Sequence, residues 1–155
     1  RVKKLISTNT DLYYGRTAKS SYSFDPPTDL MAFHTTVSHR EIEVRDKLLE
    51  DFLTREASEP QIFYIWGHSY EFKNDDNWNI IEEFAEYMGN RDNIWYATNI
   101  EIYEYIEDYN RLVFSADGQR EYNPTNRTLY FNNDYVMHIR TFIRICICNT
   151  VFLVL

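Results

Sequence analysis

The side chains best suited to chemistry lie in one short stretch, 63–72, which reads Phe-Tyr-Ile-Trp-Gly-His-Ser-Tyr-Glu-Phe. Its four leading apolar residues predict a buried strand, so the polar residues after them would lie at the carboxyl end of that strand. In parallel α/β folds, catalytic side chains collect at this end. His68 is the one side chain here whose ordinary pKa allows proton transfer near neutral pH. The stretch therefore predicts acid–base chemistry at His68.

Trp66, Tyr70 and Glu71 surround His68 in the sequence. Because residues two apart in an extended segment point to the same side, Trp66 and His68 are expected to share a face. An indole there would form an apolar wall or stack on a sugar ring, and Tyr70 flanks the histidine from the other direction. Glu71 is expected either to orient His68 or to cap the next turn. We assign all three neighbours to substrate binding.

His34 and His39 form a His-x4-His pair, which raises the question of a metal site. On a strand followed by a turn, this spacing places the two rings on opposite faces or far apart, and such geometry is weak for coordination. We therefore assign no metal ligand in this chain. His39 is expected to line a substrate cleft, with a purely structural role as the alternative.

Length and composition limit the class of protein. The 155 residues suffice for one domain with a sizeable core, and a formal net charge of −8 argues against nucleic acid as a partner. The rings of 13 Tyr, 10 Phe and 3 Trp could form a core or stack on sugars. Cys146 and Cys148 are too close for a favourable disulfide, and no nearby His or Cys completes a zinc site. The cysteines therefore leave the localisation open.

Helix and strand patterns alternate along the chain, which predicts an α/β fold with a mostly parallel sheet. Polar residues at 74–77 are expected to cap the helix that follows, and Thr98 with Glu101 forms a capping-box pattern. The predicted helices cover 2–7, 41–55, 78–88 and the segment after Thr98, and the predicted strands cover 12–18, 30–37, 61–66, 94–97, 113–115 and 129–131.

The tail, 133–155, differs from residues 1–132 in composition. It is apolar and β-branched but contains Arg140 and Arg144, and its uninterrupted apolar part is shorter than the ~20 residues of a membrane-spanning helix. We predict no membrane span. The tail could be an edge strand pair, a membrane-proximal anchor or a non-native, out-of-frame end, and we favour either the non-native end or a poorly ordered strand.

Two strings are the most specific in the sequence, Trp-Gly-His-Ser-Tyr-Glu-Phe at 66–72 and Ile-Trp-Tyr-Ala-Thr-Asn at 94–99. Together with Tyr-Gly-Arg-Thr at 14–17 and Phe-His-Thr-Thr-Val-Ser-His at 33–39, they resemble the C-terminal half of a NodB-type polysaccharide deacetylase (carbohydrate esterase family 4-like). The resemblance covers 1–132. It implies a partial, distorted (β/α) barrel whose N-terminal strands are missing, so that the chain begins inside a domain.

The resemblance also implies an activity: a metal-dependent hydrolase that removes N- or O-acetyl groups from a carbohydrate polymer or oligosaccharide. His68 matches the histidine that gives a proton to the leaving group, and Arg16 matches the arginine that orients the catalytic aspartate. The family holds zinc or a similar divalent ion with Thr-Phe-Asp-Asp-Gly and His-x-x-x-His motifs, and neither occurs in these 155 residues. We therefore expect this chain to bind no metal and to be inactive alone.

The sequence leaves two other functions open. A domain that kept aromatic stacking without a metal site would be a non-catalytic carbohydrate-binding domain. An α/β interaction domain could instead use its acidic surface to bind another protein.

Overall fold

The computed structural model describes residues 2–56, 60–129 and, as backbone, 144–149. The helices in these ranges are α1 (Val2–Asn9), α2 (Ile42–Thr54), α3 (Ser69–Asn74), α4 (Asn79–Met88) and α5 (Asn99–Tyr109). The strands are β1 (Arg16–Ser20), β2 (Phe33–Thr35), β3 (Val37–Ser38), β4 (Gln61–Trp66), β5 (Ile94–Tyr96), β6 (Val113–Phe114), β7 (Glu121–Tyr122) and β8 (Arg144–Asn149).

Parallel pairing dominates the strands. β1 pairs with β2, and β3, β4, β8 and β5 follow one another in a four-stranded parallel sheet, whereas β6 and β7 form a small antiparallel pair. Thr36 separates β2 from β3, and its backbone N–H donates to the Tyr64 carbonyl at 2.8 Å. The prediction of a mixed α/β fold is confirmed, and among the described strands no sheet closes on itself.

Helices cover both faces of β4. Phe63 and Ile65 pack on one side against α2, α3 and α4, whereas Ile62 and Tyr64 pack on the other side against α5. A strand buried on both faces is expected to be apolar throughout rather than alternating, which explains the run at the start of the 63–72 stretch.

Most predicted elements are found, with shifts that local contacts explain. β4 has its predicted bounds, and α2 differs from its prediction by one residue at each end. The predicted strand 30–37 begins instead with a 3-10 turn, Leu30–Ala32, because the Asp29 side chain accepts the Met31 N–H at 3.0 Å. The predicted strand 113–115 is found as β6, which pairs with β7, and residues 130–131 of the predicted strand 129–131 lie outside the described residues.

The region before α4 differs from its prediction. Residues 69–74 form α3, which was not predicted. The polar residues at 74–77 therefore end one helix instead of starting the next, and Asp76 takes a positive φ of 48°. The N-cap of α4 is Trp78, without a side-chain cap.

Of the tail 133–155, the described part is β8, and the remainder lies outside the described residues. The backbone of β8 runs between β4 and β5 rather than at an edge, in register from Gln61 opposite Arg144 to Trp66 opposite Asn149. None of the described helices is long and apolar enough to cross a bilayer.

Candidate functional site

Two neighbouring strands bring the candidate residues together. β3 and β4 are parallel with Ser38 opposite Trp66, so the segments that follow them leave the same edge of the sheet. His39 and Arg40 follow β3, and His68 follows β4. The carboxyl ends of parallel strands are where such folds place reactive side chains.

Glu71 lies at the centre of this group. Its carboxylate accepts the His68 backbone N–H at 2.9 Å and lies 3.2 Å from Nδ1 of the same residue. His39 Nε2 is 3.7 Å from the same carboxylate oxygen, and Arg40 Nε is 3.3 Å from the other oxygen. We call these four residues, together with Trp66 and Tyr70, the His68 cluster.

The contact with Glu71 fixes which nitrogen of His68 carries a proton. A carboxylate can only accept, so the Nδ1 atom must donate. Nε2 is then the ring atom left to take up or release a proton, and the His68 side chain, 41% exposed, can be reached from solvent. Glu71 therefore orients the His68 ring and also caps the first turn of α3. The sequence predicted one role or the other, and the structure shows both contacts.

The charge of Glu71 is stabilised by its neighbours. Burial alone would raise the pKa of this carboxyl group, but the bonds from the His68 amide and ring and the charges of Arg40 and His39 outweigh it and lower the pKa. Glu71 is thus an anion at neutral pH beside the histidine ring.

His39 is the buried member of the His68 cluster. Its side chain is 5% exposed, its backbone N–H donates to the Trp66 carbonyl at 2.9 Å, and its ring centroid is 4.3 Å from that of Phe72. Burial lowers the pKa of His39, although the Trp66 carbonyl and Glu71 act in the opposite direction. The prediction that this residue contacts substrate remains a prediction.

Gly67 makes room for the His39 ring. A Cβ atom at position 67 would overlap Nδ1 of His39, far inside van der Waals contact. Gly67 follows β4 and His39 follows β3. The packing of the His39 ring therefore requires a residue without a side chain at position 67.

Aromatic rings form a row across His68. The His68 ring meets Trp66 edge-on at a centroid distance of 5.7 Å and stacks on Tyr70 at 5.0 Å with an interplanar angle of 26°. Tyr70 is 58% exposed. Such a row offers apolar ring faces beside a proton-exchanging nitrogen.

Arg16 joins the cluster through Trp66. Its guanidinium carbon lies 5.2 Å from the centroid of the indole ring, a cation–π contact. No carboxylate in the described part of the chain pairs with this arginine, so its assigned partner, a catalytic aspartate, has no counterpart among these residues. The indole Nε1 of Trp66 is buried without a hydrogen-bond partner among the described residues.

The structure thus places Trp66, Tyr70 and Glu71 in contact with His68, with His39 buried below Glu71 and Arg16 beside Trp66. Sequence reasoning missed Arg40, which lies between Glu71 and Asp75 with 3.2 Å from its Nη2 to the Asp75 carboxylate. No local pattern marks Arg40, because its partners are about thirty positions away along the chain.

A second polar group lies beside the cluster at Glu41. The Glu41 carboxylate accepts from the Ser20 hydroxyl at 2.9 Å, the Tyr22 hydroxyl at 2.7 Å and the Ser38 N–H at 3.2 Å. These bonds lower the pKa of Glu41. They tie the end of β1 to the start of α2 and thereby hold the 38–41 turn that carries His39 and Arg40.

The described residues do not form a metal site. Across these ranges, no group of three or more His, Cys, Asp or Glu side chains is placed to hold an ion. The residues present therefore do not fit the divalent ion that the resemblance implies.

Comparisons of the chain with protein-family models, with curated proteins and with solved structures gave no significant match.

Proposed function

We propose that this chain is the C-terminal part of a polysaccharide deacetylase domain of the NodB type, built as part of a distorted (β/α) barrel. The parallel pairing of β3 with β4, whose carboxyl ends carry the candidate residues, supports this proposal. The helices on both faces of β4 and the place of β8 between β4 and β5 differ from a regular barrel, in which the helices form one outer ring, so the barrel itself rests on the sequence resemblance. The remaining strands, and the metal-binding motifs that the sequence lacks, would be supplied by chain outside these 155 residues.

His68 would act as the general acid. Hydrolysis of an N-acetyl group breaks the bond between the carbonyl carbon and nitrogen while water adds to the carbonyl, giving acetate and an amine. The departing nitrogen needs a proton, and protonated Nε2 of His68 can give it while Nδ1 stays bonded to Glu71. Glu71 keeps the ring oriented during this transfer.

The observation that carries this proposal is the contact of His68 with Glu71 inside the row of Trp66 and Tyr70 rings. The carboxylate sets the tautomer, and the rings provide a surface for the apolar face of a sugar or for an acetyl methyl group. Arg16 would hold the Trp66 indole in place.

The described residues do not fit a metal ion, which the rest of the domain would have to bind. The role assigned to the chain is limited to proton donation and substrate contact. In this proposal the chain alone is inactive, and the activity belongs to the complete domain.

A second candidate is a carbohydrate-binding domain without catalysis. The exposed Tyr70 ring, stacked on His68, favours it, since such rings bind sugars whether or not a reaction follows. Binding without turnover in the completed domain would select this alternative.

The test joins this chain to the coding sequence directly preceding it and compares acetate release by the wild type and the His68→Ala variant. His34→Ala is the matched control, because His34 is also half-buried but lies outside the His68 cluster.

A further inference from the structure

A cleft of about 700 Å³ opens at the other end of β4 from the His68 cluster. It lies between α5 and the segment before β2, and Ile62, near the start of β4, lines it. Ile62 and His68 are six positions apart, which corresponds to roughly 20 Å of extended chain. The cleft is therefore separate from the His68 cluster, and its volume lies within the range of small-molecule pockets, ~300–1,000 Å³.

Tyrosine rings form its wall. Tyr13 and Tyr103 both line the cleft and stack with a centroid distance of 6.0 Å and an interplanar angle of 27°. Tyr14 packs against Tyr103 at 5.9 Å, and Tyr13 is 64% exposed. Tyr109 also lines the cleft. We call this site the tyrosine cleft.

The cleft also contains a carboxylate that lies outside the described ion pairs. Glu107 lines the cleft and is half-buried. Among the described ion pairs of α5, Arg111 pairs with Asp108, and Arg127 pairs with both Asp108 and Glu104. None of these pairs includes Glu107.

The charge of Glu107 affects the pKa of Tyr103. Burial raises the pKa of Tyr103, the charge of Glu107 and the neighbouring Tyr13 raise it further, and Arg111 opposes them. Asp29, also at the cleft, is already paired with Lys3.

We propose that the tyrosine cleft binds a protonated amino sugar, with the sugar ring against Tyr103 and the ammonium group toward Glu107. Tyrosine faces attract cations as well as apolar ring faces, and a half-buried carboxylate outside the described ion pairs favours a positive ligand over a neutral one. The net charge of −8 adds attraction at long range.

The preference for a cation rests on Glu107 and the rings. The choice of an amino sugar among organic cations rests on the proposed function, because removing the acetyl group from an N-acetyl sugar leaves an amine that is protonated near neutral pH. The cleft would then hold the deacetylated part of the polymer.

The experiment titrates the full 155-residue chain with a glucosamine tetramer and with its fully N-acetylated counterpart, at about pH 6 so that the amines are protonated. Calorimetry gives the affinities, and NMR shifts of α5 amides locate the site. We expect the glucosamine tetramer to bind about tenfold or more tightly than the acetylated one at α5. Glu107→Gln should remove that advantage, and the matched change Glu86→Gln, at an exposed site on α4, should not.

Ring variants test the stacking contact. Tyr103→Phe should keep the binding and Tyr103→Ala should weaken it about tenfold. Equal affinity for the two tetramers, or an unchanged affinity in Glu107→Gln, would overturn the proposal.

Two further measurements separate this proposal from the proposed function. His68→Ala should leave binding at the cleft unchanged, so a lost deacetylase activity and a lost cleft affinity are distinguishable. If tetramethylammonium binds at α5 through Glu107 and the glucosamine tetramer does not, the amino-sugar assignment is wrong.

Discussion

At the scale of single residues, the site depends on a glycine and a histidine that are far apart in sequence. Gly67 has no Cβ, and the His39 ring occupies the space where that atom would be. The ring in turn lies 3.7 Å from the Glu71 carboxylate that orients His68. The position of the proton-exchanging histidine is therefore coupled to the packing of a buried one.

Replacing Gly67 with alanine should consequently destabilise the fold. The new methyl group must displace the His39 ring, and overpacking of this kind costs about 1–3 kcal/mol. Gly15→Ala is the control, because a Cβ there meets the Met31 carbonyl oxygen at an ordinary 3.4 Å. Urea unfolding of both variants measures the effect, and equal stability of the two would show that the close approach of His39 and Gly67 is not a constraint.

Acid should destabilise the protein in two stages. The pKa of His39 is lowered from 6.5 by burial, so the unfolded chain binds a proton that the folded chain does not, and stability falls as the pH drops below 6.5. The pKa of Glu71 is lowered from 4.5, so a second loss, shared with Glu41, begins below that value. Stability should be greatest above both values.

Urea midpoints measured from neutral pH to about pH 3 test this expectation. His39→Gln should flatten the upper stage, and Glu71→Gln should make the lower stage shallower, while His34→Gln serves as the control outside the His68 cluster. A wild-type midpoint that rises on acidification below pH 6.5 would contradict the assignment.

Much of the site could be predicted from the sequence, because most of its members are neighbours along the chain. Trp66, His68, Tyr70 and Glu71 lie within six consecutive residues at the end of a strand whose apolar run is distinct. The roles of Arg40 and Gly67 could not be predicted, since both depend on how β3 pairs with β4. Pairing between strands is a long-range property that local patterns do not encode.

At the scale of elements, α5 positions the Tyr64 side of the core and one wall of the tyrosine cleft. Its start is fixed by the predicted capping box, which is confirmed: Glu101 accepts the Thr98 N–H at 2.7 Å, and the Thr98 hydroxyl accepts the Glu101 N–H. These contacts lower the pKa of Glu101.

Thr98→Ala should therefore destabilise the protein by about 1 kcal/mol, whereas Thr98→Ser should retain most of the wild-type stability because serine also caps. Chemical denaturation followed by circular dichroism compares the variants. If alanine and serine at this position gave the same stability, the cap would not contribute.

The differences between the predicted and the observed helices and strands have local causes. Residues 74–77 do not cap α4, because a second short helix, α3, precedes it and ends at Asn74 with Asp75 as its C-cap. The apolar composition of 30–37 predicts a strand, but one side chain, Asp29, is enough to begin a 3-10 turn there. Composition indicates an element type, and single polar contacts decide its bounds.

At the scale of the whole molecule, β4 separates two sites. The His68 cluster lies at its carboxyl end, and the tyrosine cleft lies near its start. The alternation of elements was enough to predict a largely parallel α/β fold, but the place of β8 between β4 and β5 was not predicted, because strand order in a sheet does not follow from an apolar segment alone. Under the two proposals, His68 at one end of β4 donates the proton, and the tyrosine cleft at the other end binds the amine product.

The decisive measurement is the rate at which the completed domain releases acetate from an N-acetylated chito-oligosaccharide. With His68 as the proton donor, His68→Ala should lower the turnover rate about 10²–10⁴-fold while His34→Ala changes it little, and both variants should keep the wild-type circular dichroism spectrum. Turnover by His68→Ala at the wild-type rate would contradict the assignment of His68 as the general acid.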